Sequence, residues 1–108
     1  MITHNTLDLM VYLDRILQSY DRFNTKKDNP ILQEMTDRFR DSLRVDIGSK
    51  YAKVVANGSV HSFIVIKDTP KFKAGDILMA RSFNSPATNF ARGNIFTRNY
   101  PTLSWTGV

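Results

Sequence analysis

The sequence predicts an α+β domain: two N-terminal helices packed on an antiparallel meander of three or four strands, with a long irregular C-terminal segment. Before Gly48, apolar residues recur at three- and four-residue intervals, and after it the pattern changes to a period of two. A length of 108 residues suits one domain rather than two. We therefore expect a single domain over 1–108, helical over 1–48 and basic and β-rich over 49–108.

Two amphipathic helices account for the first part. Residues 6–23 place their apolar side chains on one stripe of a helix. Polar, turn-forming residues interrupt the pattern at 24–28. Asn29-Pro30 then opens a second helix, because asparagine caps well and proline fits the first helical position. The helical region is predicted to end at Gly48.

The second part is predicted to begin with a hairpin. Runs 51–56 and 60–67 flank Asn57-Gly58, the strongest short hairpin signal. A two-residue type I′ turn there pairs residue 56 with 59 and, farther along, Val54 with His61 and Ala52 with Phe63. Both faces of this hairpin are apolar, so one takes the helices and the other needs a strand, a loop or a partner to cover it.

Three further segments complete the expected fold. A third strand is predicted over 77–80, after the turn formers Ala74-Gly75-Asp76. Residues 95–97 are expected to add a short edge strand. The tail over 99–105 is rich in aromatic residues and is expected to pack back on the domain as irregular structure.

The positive charge of the chain is segregated. Its net charge is +5, but residues 1–48 carry slightly more acidic than basic groups, whereas 49–108 contain Asp68 and Asp76 as their only acids. A basic half favours a polyanionic partner such as nucleic acid. The alternative is a basic domain whose charge serves only solubility.

Basic and aromatic residues alternate in the C-terminal segment, and we predict that the loop from Arg81 to Arg98 is the functional surface. Single-stranded nucleic acid is bound by cations along its backbone and by rings under its bases. Gly93 permits a positive φ or a close approach, and the Asn94 amide can donate. The alternative is that the aromatic residues are core and that Arg92 braces the loop. The candidate residues for binding nucleic acid or another partner are Lys50, Lys53, Lys71, Lys73, Arg81, Phe83, Arg92, Asn94 and Arg98.

Enzyme and metal motifs are absent from the sequence, so we expect no catalytic residues, no metal and no cofactor. The chain has no cysteine and two histidines, His4 and His61, so a zinc site is not expected. Ser59 and His61 share a strand face, but no acid orients the histidine, so packing of His61 on Val54 is the preferred interpretation. No apolar run reaches the ~18 residues of a membrane span, and no secretory signal is recognisable.

Residues 50–96 carry a series of short motifs. They read Lys50-Tyr51-x-Lys53-x-Val55, Ser59-Val60-His61-x-Phe63, Phe72-Lys73-x-Gly75-Asp76-Ile77-Leu78-x-Ala80-x-Ser82, Pro86-Ala87 and Ala91-Arg92-Gly93-Asn94-Ile95-Phe96. With these motifs the chain resembles a family of short tailed-bacteriophage proteins of unknown function. The last motif is the most specific, while Phe83 stands where the family has tryptophan. The resemblance implies expression in the cytoplasm of an infected bacterium and implies no particular activity.

Two functions are left open by the sequence. The first is a small non-enzymatic phage protein that binds nucleic acid, single-stranded or with little sequence preference, through the basic and aromatic C-terminal surface. The second is a phage protein that binds and modulates a host bacterial protein. A membrane partner is not expected. A homodimer is a further expectation, because an exposed sheet edge or a second apolar face needs to be covered.

Overall fold

Two helices precede a five-stranded antiparallel sheet in the computed structural model, which describes residues 4–23 and 30–108. The α+β class is confirmed, with one strand more than the three or four expected. The strands follow one another across the sheet in chain order. The elements are α1 (His4–Phe23), α2 (Pro30–Ser42), β1 (Arg44–Ile47), β2 (Tyr51–Ala56), β3 (Ser59–Val65), β4 (Ile77–Ser82) and β5 (Ser85–Pro86). The predicted turn at 24–28 and the Asn29 cap lie outside the described residues.

Strand β1 lies where the sequence predicts the end of the second helix. Helix α2 ends at Ser42, whose hydroxyl donates to the carbonyl oxygen of Phe39 at 2.6 Å. Pairing with β2 then holds the next residues in an extended conformation. The Gly48 N–H donates to the Tyr51 carbonyl at 2.8 Å and closes the turn between the two strands. The prediction of a helical region up to Gly48 was therefore wrong beyond Ser42. Four residues are too few to show a period of their own against the preceding helical pattern.

A bulge interrupts the hairpin formed by β2 and β3. The turn residues Asn57 and Gly58 have φ values of 54° and 79°, as a type I′ turn requires, and the two pairs nearest the turn follow the predicted register. Beyond them the register shifts by one, so that Val54 pairs with Ser62 and His61 is the extra residue. The predicted pairing of Val54 with His61 and of Ala52 with Phe63 was wrong, because a period-two pattern does not reveal a bulge.

The sheet buries both of its faces. On the helix face, α1 and α2 pack against alternate residues of the sheet; this core includes Tyr12, Ile16, Tyr20, Phe39, Ala52, Val54, Ala56, Ile64 and Ile77. On the opposite face, which we call the loop face, Phe72 packs against Phe63, Val65 and Leu78. Phe72 belongs to the connection between β3 and β4. The second apolar face expected from the sequence is thus covered by a loop.

The C-terminal segment is irregular, as expected, but its short outer strand does not lie at the predicted residues 95–97. Residues 95–98 form a turn in place of the predicted edge strand, because the Asn94 side chain accepts the N–H groups of Phe96 and Thr97. The outer strand β5 is Ser85–Pro86, beside β4. The tail returns to the helix face, where it places Tyr100, Leu103, Trp105 and Val108 against the core.

Candidate nucleic-acid interface

Lys53 and Phe83 form a contact between a cation and an aromatic ring. Lys53 projects from β2 on the loop face, because its neighbours Ala52 and Val54 belong to the helix-face core. Its Nζ lies 4.4 Å from the centre of the Phe83 ring and donates to Asn84 Oδ1 at 3.1 Å. Phe83 and Asn84 form the turn between β4 and β5. The Phe83 ring remains 49% exposed, so it offers surface to a partner beside a fixed positive charge.

Arg81 and Lys50 border this contact on two sides. Arg81 and Phe83 line an open groove of about 330 Å³ that reaches Val60 at the start of β3. Lys50 and Lys53 line a second open groove of about 340 Å³, together with Asp46. Asp46 is already engaged, because its Oδ2 lies 3.3 Å from Arg44 Nε. The Lys53 and Phe83 contact thus lies between two grooves that also carry cations.

Lys71 and Lys73 flank Phe72, the residue that covers the loop face. Both lysines are exposed, and Lys71 Nζ lies 5.6 Å from the Phe72 ring centre. The acids of this half bind backbone groups: Asp68 Oδ1 accepts the Ala74 N–H at 2.8 Å, and Asp76 Oδ2 accepts the Lys73 N–H at 2.9 Å. These carboxylates therefore hold the loop in shape rather than neutralise its lysines.

Arg92 stacks on Phe90 in the C-terminal loop. Its Cζ lies 4.2 Å from the Phe90 ring centre, and the ring is 52% exposed. The Arg92 main chain donates to the Ile77 carbonyl at 2.7 Å, so backbone pairing with β4 fixes its position. Its Nε is buried and has no hydrogen-bond partner among the described residues. The Arg92 side chain therefore forms a second contact between a cation and a half-exposed ring.

Asn94 holds the turn that follows Arg92. Its Nδ2 donates to Asp76 Oδ1 at 2.9 Å and to the Ala74 carbonyl at 3.2 Å, and its Oδ1 accepts the Phe96 N–H at 2.8 Å. Both ends of the amide are thus occupied within the chain. The amide predicted to donate to a partner is used to shape the loop.

Arg98 ties the C-terminal loop to the first helix. Its guanidinium lies 3.3 Å from Asp8 Oδ1 in α1, and the Asp8 side chain is only 15% exposed. Asp8 is distant in sequence, so nothing local indicates this ion pair. Arg98 thus links the C-terminal loop to α1, and its charge is partly neutralised.

The remaining cations of the basic half are not neutralised in this way. In the first half, Arg38, Arg40 and Arg44 form ion pairs with nearby carboxylates. In the second half, these cations form no ion pair with a described carboxylate: Lys50, Lys53, Lys67, Lys71, Lys73, Arg81 and Arg92. Over the part of the chain that the structure describes, the charge segregation of the sequence therefore persists as positive charge without ion-pair partners.

A buried polar cluster on the helix face was not indicated by the sequence. His61 Nε2 lies 2.6 Å from the Ser104 carbonyl oxygen, and because a carbonyl only accepts, Nε2 carries the proton. Neutral His61 then accepts at Nδ1 from the Ser62 hydroxyl at 2.9 Å, and Ser62 Oγ accepts from the Tyr12 hydroxyl at 2.7 Å. The bulge makes this possible by turning two successive residues of β3 toward α1.

The members of this cluster are buried. Ser62 and Tyr12 are fully buried, and burial lowers the pKa of His61 and raises that of Tyr12. Ser59, in contrast, is exposed, and no hydrogen bond among the described residues joins it to His61. The polar groups satisfy one another, which is the usual arrangement of buried structural hydrogen bonds.

Within the described ranges 4–23 and 30–108, no group of three or more His, Asp or Glu residues could hold a metal ion, and no helix is long and apolar enough to cross a membrane. Comparisons of the chain with protein-family models, with curated proteins and with solved structures find no match.

Proposed function

We propose that the protein binds nucleic acid, single-stranded or with little sequence preference. The binding surface is the basic–aromatic surface formed by Lys50, Lys53, Lys71, Lys73, Arg81, Phe83, Phe90 and Arg92. The observation that carries the proposal is the pairing of unneutralised cations with half-exposed rings, Lys53 with Phe83 and Arg92 with Phe90. Asn94 and Arg98 are assigned to positioning the loop.

The chemistry of the surface suits a strand whose bases are unstacked. Stacking of a base on an aromatic ring contributes about 1–3 kcal/mol and tolerates any base, because every base has a π-face. A base stacked on the exposed part of the Phe83 ring would have Lys53 and Arg81 as neighbouring cations for its phosphate. Aromatic and cationic groups recognise backbone and stacking rather than the edges of particular bases, so little sequence preference is expected.

A titration at two salt concentrations tests the proposal. We expect single-stranded DNA or RNA to bind more tightly than duplex DNA. The logarithm of the affinity should fall by about 0.7 per logarithmic unit of salt for each single-strand phosphate neutralised. Phe83→Ala should weaken binding, whereas Phe83→Trp should retain it, because a larger ring still stacks.

The absence of any binding at low salt would refute the proposal. It would favour the alternative function, binding to a host bacterial protein, for which the exposed rings of Phe90 and Phe96 offer apolar contact. In either case we propose that the protein acts in an infected bacterium, on the strength of the resemblance carried by residues 50–96.

A further inference from the structure

Strand β1 is an outer strand of the sheet, and no described segment pairs with its free edge. The strand is exposed over most of its length, and the side chain of Ile47 is 70% exposed. Gly48 donates its N–H toward β2. Because backbone groups alternate along a strand, those of Arg44 and Asp46 also point toward β2, while those of Val45 and Ile47 point outward and are available to another strand.

A second copy of the chain can pair with this edge only in a few registers. Two identical strands related by a two-fold axis pair antiparallel, and outward-pointing residues must lie opposite outward-pointing residues. An axis at residue 44 places Arg44 opposite itself, and an axis at residue 46 places Asp46 opposite itself. Both arrangements oppose like charges. An axis at residue 47 extends the pairing beyond Gly48 into the turn.

The remaining register is favourable. An axis at Val45 places Arg44 of each copy directly opposite Asp46 of the other, so that two oppositely charged pairs form. Both side chains lie on the loop face, because Val45 between them packs on the helix-face core. Within one strand, Arg44 Nε already lies 3.3 Å from Asp46 Oδ2, so the guanidinium and the carboxylate lie at the same height above the loop face.

We propose that β1 pairs with β1 of a second copy about a two-fold axis at Val45, which joins the two sheets into one. Val45 of each copy exchanges backbone hydrogen bonds with Val45 of the other. Ile47, the most exposed apolar side chain of the strand, then lies near Leu43 of the second copy, just beyond the paired residues. The partner that fits this edge is therefore another molecule of the same protein.

Charge reversal tests the pairing. Sedimentation velocity without nucleic acid should show wild-type self-association that weakens at high salt, because exposed charges are screened. Asp46→Arg and Arg44→Asp should each weaken it at least tenfold, since either change opposes like charges twice. The double variant R44D/D46R should restore it. Circular dichroism and thermal melting establish that each variant is folded, as expected for exposed side chains.

A cross-linking experiment tests the register. The chain has no cysteine, so Arg44→Cys and Asp46→Cys introduce single thiols. When the two variants are mixed, Cys at 44 lies opposite Cys at 46 with Cα atoms about 4.5 Å apart, which suits a disulfide. In this mixed dimer, the unchanged Asp46 of one copy still lies opposite the unchanged Arg44 of the other. In Arg44→Cys alone, the two sites lie about 8 Å apart. Oxidation should cross-link the mixture and spare each variant alone.

Several results would overturn the proposal. They are a wild-type protein that stays monomeric at about 1 mM, an Asp46→Arg variant that associates as tightly as wild type, and equal cross-linking of Arg44→Cys alone and of the mixture. Because both experiments omit nucleic acid, their failure would leave the proposed function untouched.

Discussion

Individual polar side chains in this protein are held by partners far away in sequence. Tyr12 and Ser62 are the clearest case, since a helix residue and a strand residue complete each other's hydrogen bonding in the core. The sequence could not predict this contact, because it depends on a bulge that adds His61 to β3. It predicted His61 as a structural residue rather than a catalytic one, and the histidine lies buried between Ser62 and the Ser104 carbonyl.

His61 should make stability depend on pH. Burial lowers its pKa, so below pH 6.5 it binds fewer protons in the folded protein than the histidine of the unfolded chain, whose pKa is about 6.5. The unfolded state then binds more protons, and the free energy of unfolding falls as the pH drops below about 6.5 toward the folded pKa. Urea unfolding at about pH 7.5 and 5.5 measures this fall.

The matched variant is His61→Gln. It should be less stable than wild type near pH 7.5, because it loses buried hydrogen bonds, but its free energy of unfolding should fall less between the two pH values. An equal fall in both proteins would show that His61 is not the titrating group.

Gly93 should not tolerate a side chain. Its φ is 150°, and an added Cβ would lie 2.1 Å from the Asn99 carbonyl oxygen. We expect Gly93→Ala to lower the free energy of unfolding by about 2–3 kcal/mol. Gly58→Ala is the control, since φ is 79° there but a Cβ meets nothing within 4 Å; its cost should be about 1–2 kcal/mol. Chemical denaturation of both variants distinguishes a steric clash from backbone strain alone.

At the scale of the elements, the sequence predicted the regular segments and missed those that tertiary pairing creates. Both helices, the hairpin and β4 follow from their periodicity. Strand β1 does not. Pairing with β2 makes its four residues extended, and they are too few to show a period of two beside the helical pattern that precedes them. The edge strand was predicted at 95–97, where Asn94 instead folds a turn. Side-chain bonds to main-chain N–H groups compete with strand pairing, and a single sequence does not show which will win.

Asn94 should therefore be needed for the turn that it holds. Asn94→Ala removes bonds to Asp76 and to two main-chain N–H groups, and we expect a loss of about 1–3 kcal/mol. Hydrogen exchange should become faster at the Phe96 and Thr97 amides. Asn89→Ala is the control, because among the described residues the Asn89 side chain bonds only the N–H of Phe90. Unchanged protection at residues 96 and 97 would contradict the assignment.

At the scale of the whole molecule, the basic–aromatic surface combines residues that the sequence predicted with contacts that it did not predict. Lys53, Phe83 and Arg92 were chosen from residue type and order, but their contacts arise from how the sheet folds. Arg98 was chosen on the same grounds and instead pairs with Asp8, which lies at the other end of the chain. Composition locates a charged half; only tertiary structure shows which of its charges are free.

Arg92→Ala separates binding from structure. If Arg92 belongs to the binding surface, the variant should bind single-stranded nucleic acid more weakly, with a salt slope smaller by about 0.7, and its melting temperature should change little. Arg38→Ala is the matched control, since it also removes one cation, which is exposed and paired with Glu34. A large drop in melting temperature would instead identify Arg92 as a brace of the loop.

Trp105 gives the molecule a natural reporter of its folding order. As the single tryptophan, it packs edge-on against Tyr20 and Phe39 at ring-centre distances of 5.2 and 6.0 Å, and its main-chain N–H donates to Ser19 Oγ at 3.1 Å. The sheet forms by closing short loops between successive strands. Docking the tail on the helices, in contrast, closes a loop that contains nearly the whole chain. Contacts of high sequence separation are slow to form. Tryptophan fluorescence after rapid dilution from urea should thus change later than the far-ultraviolet signal of the sheet.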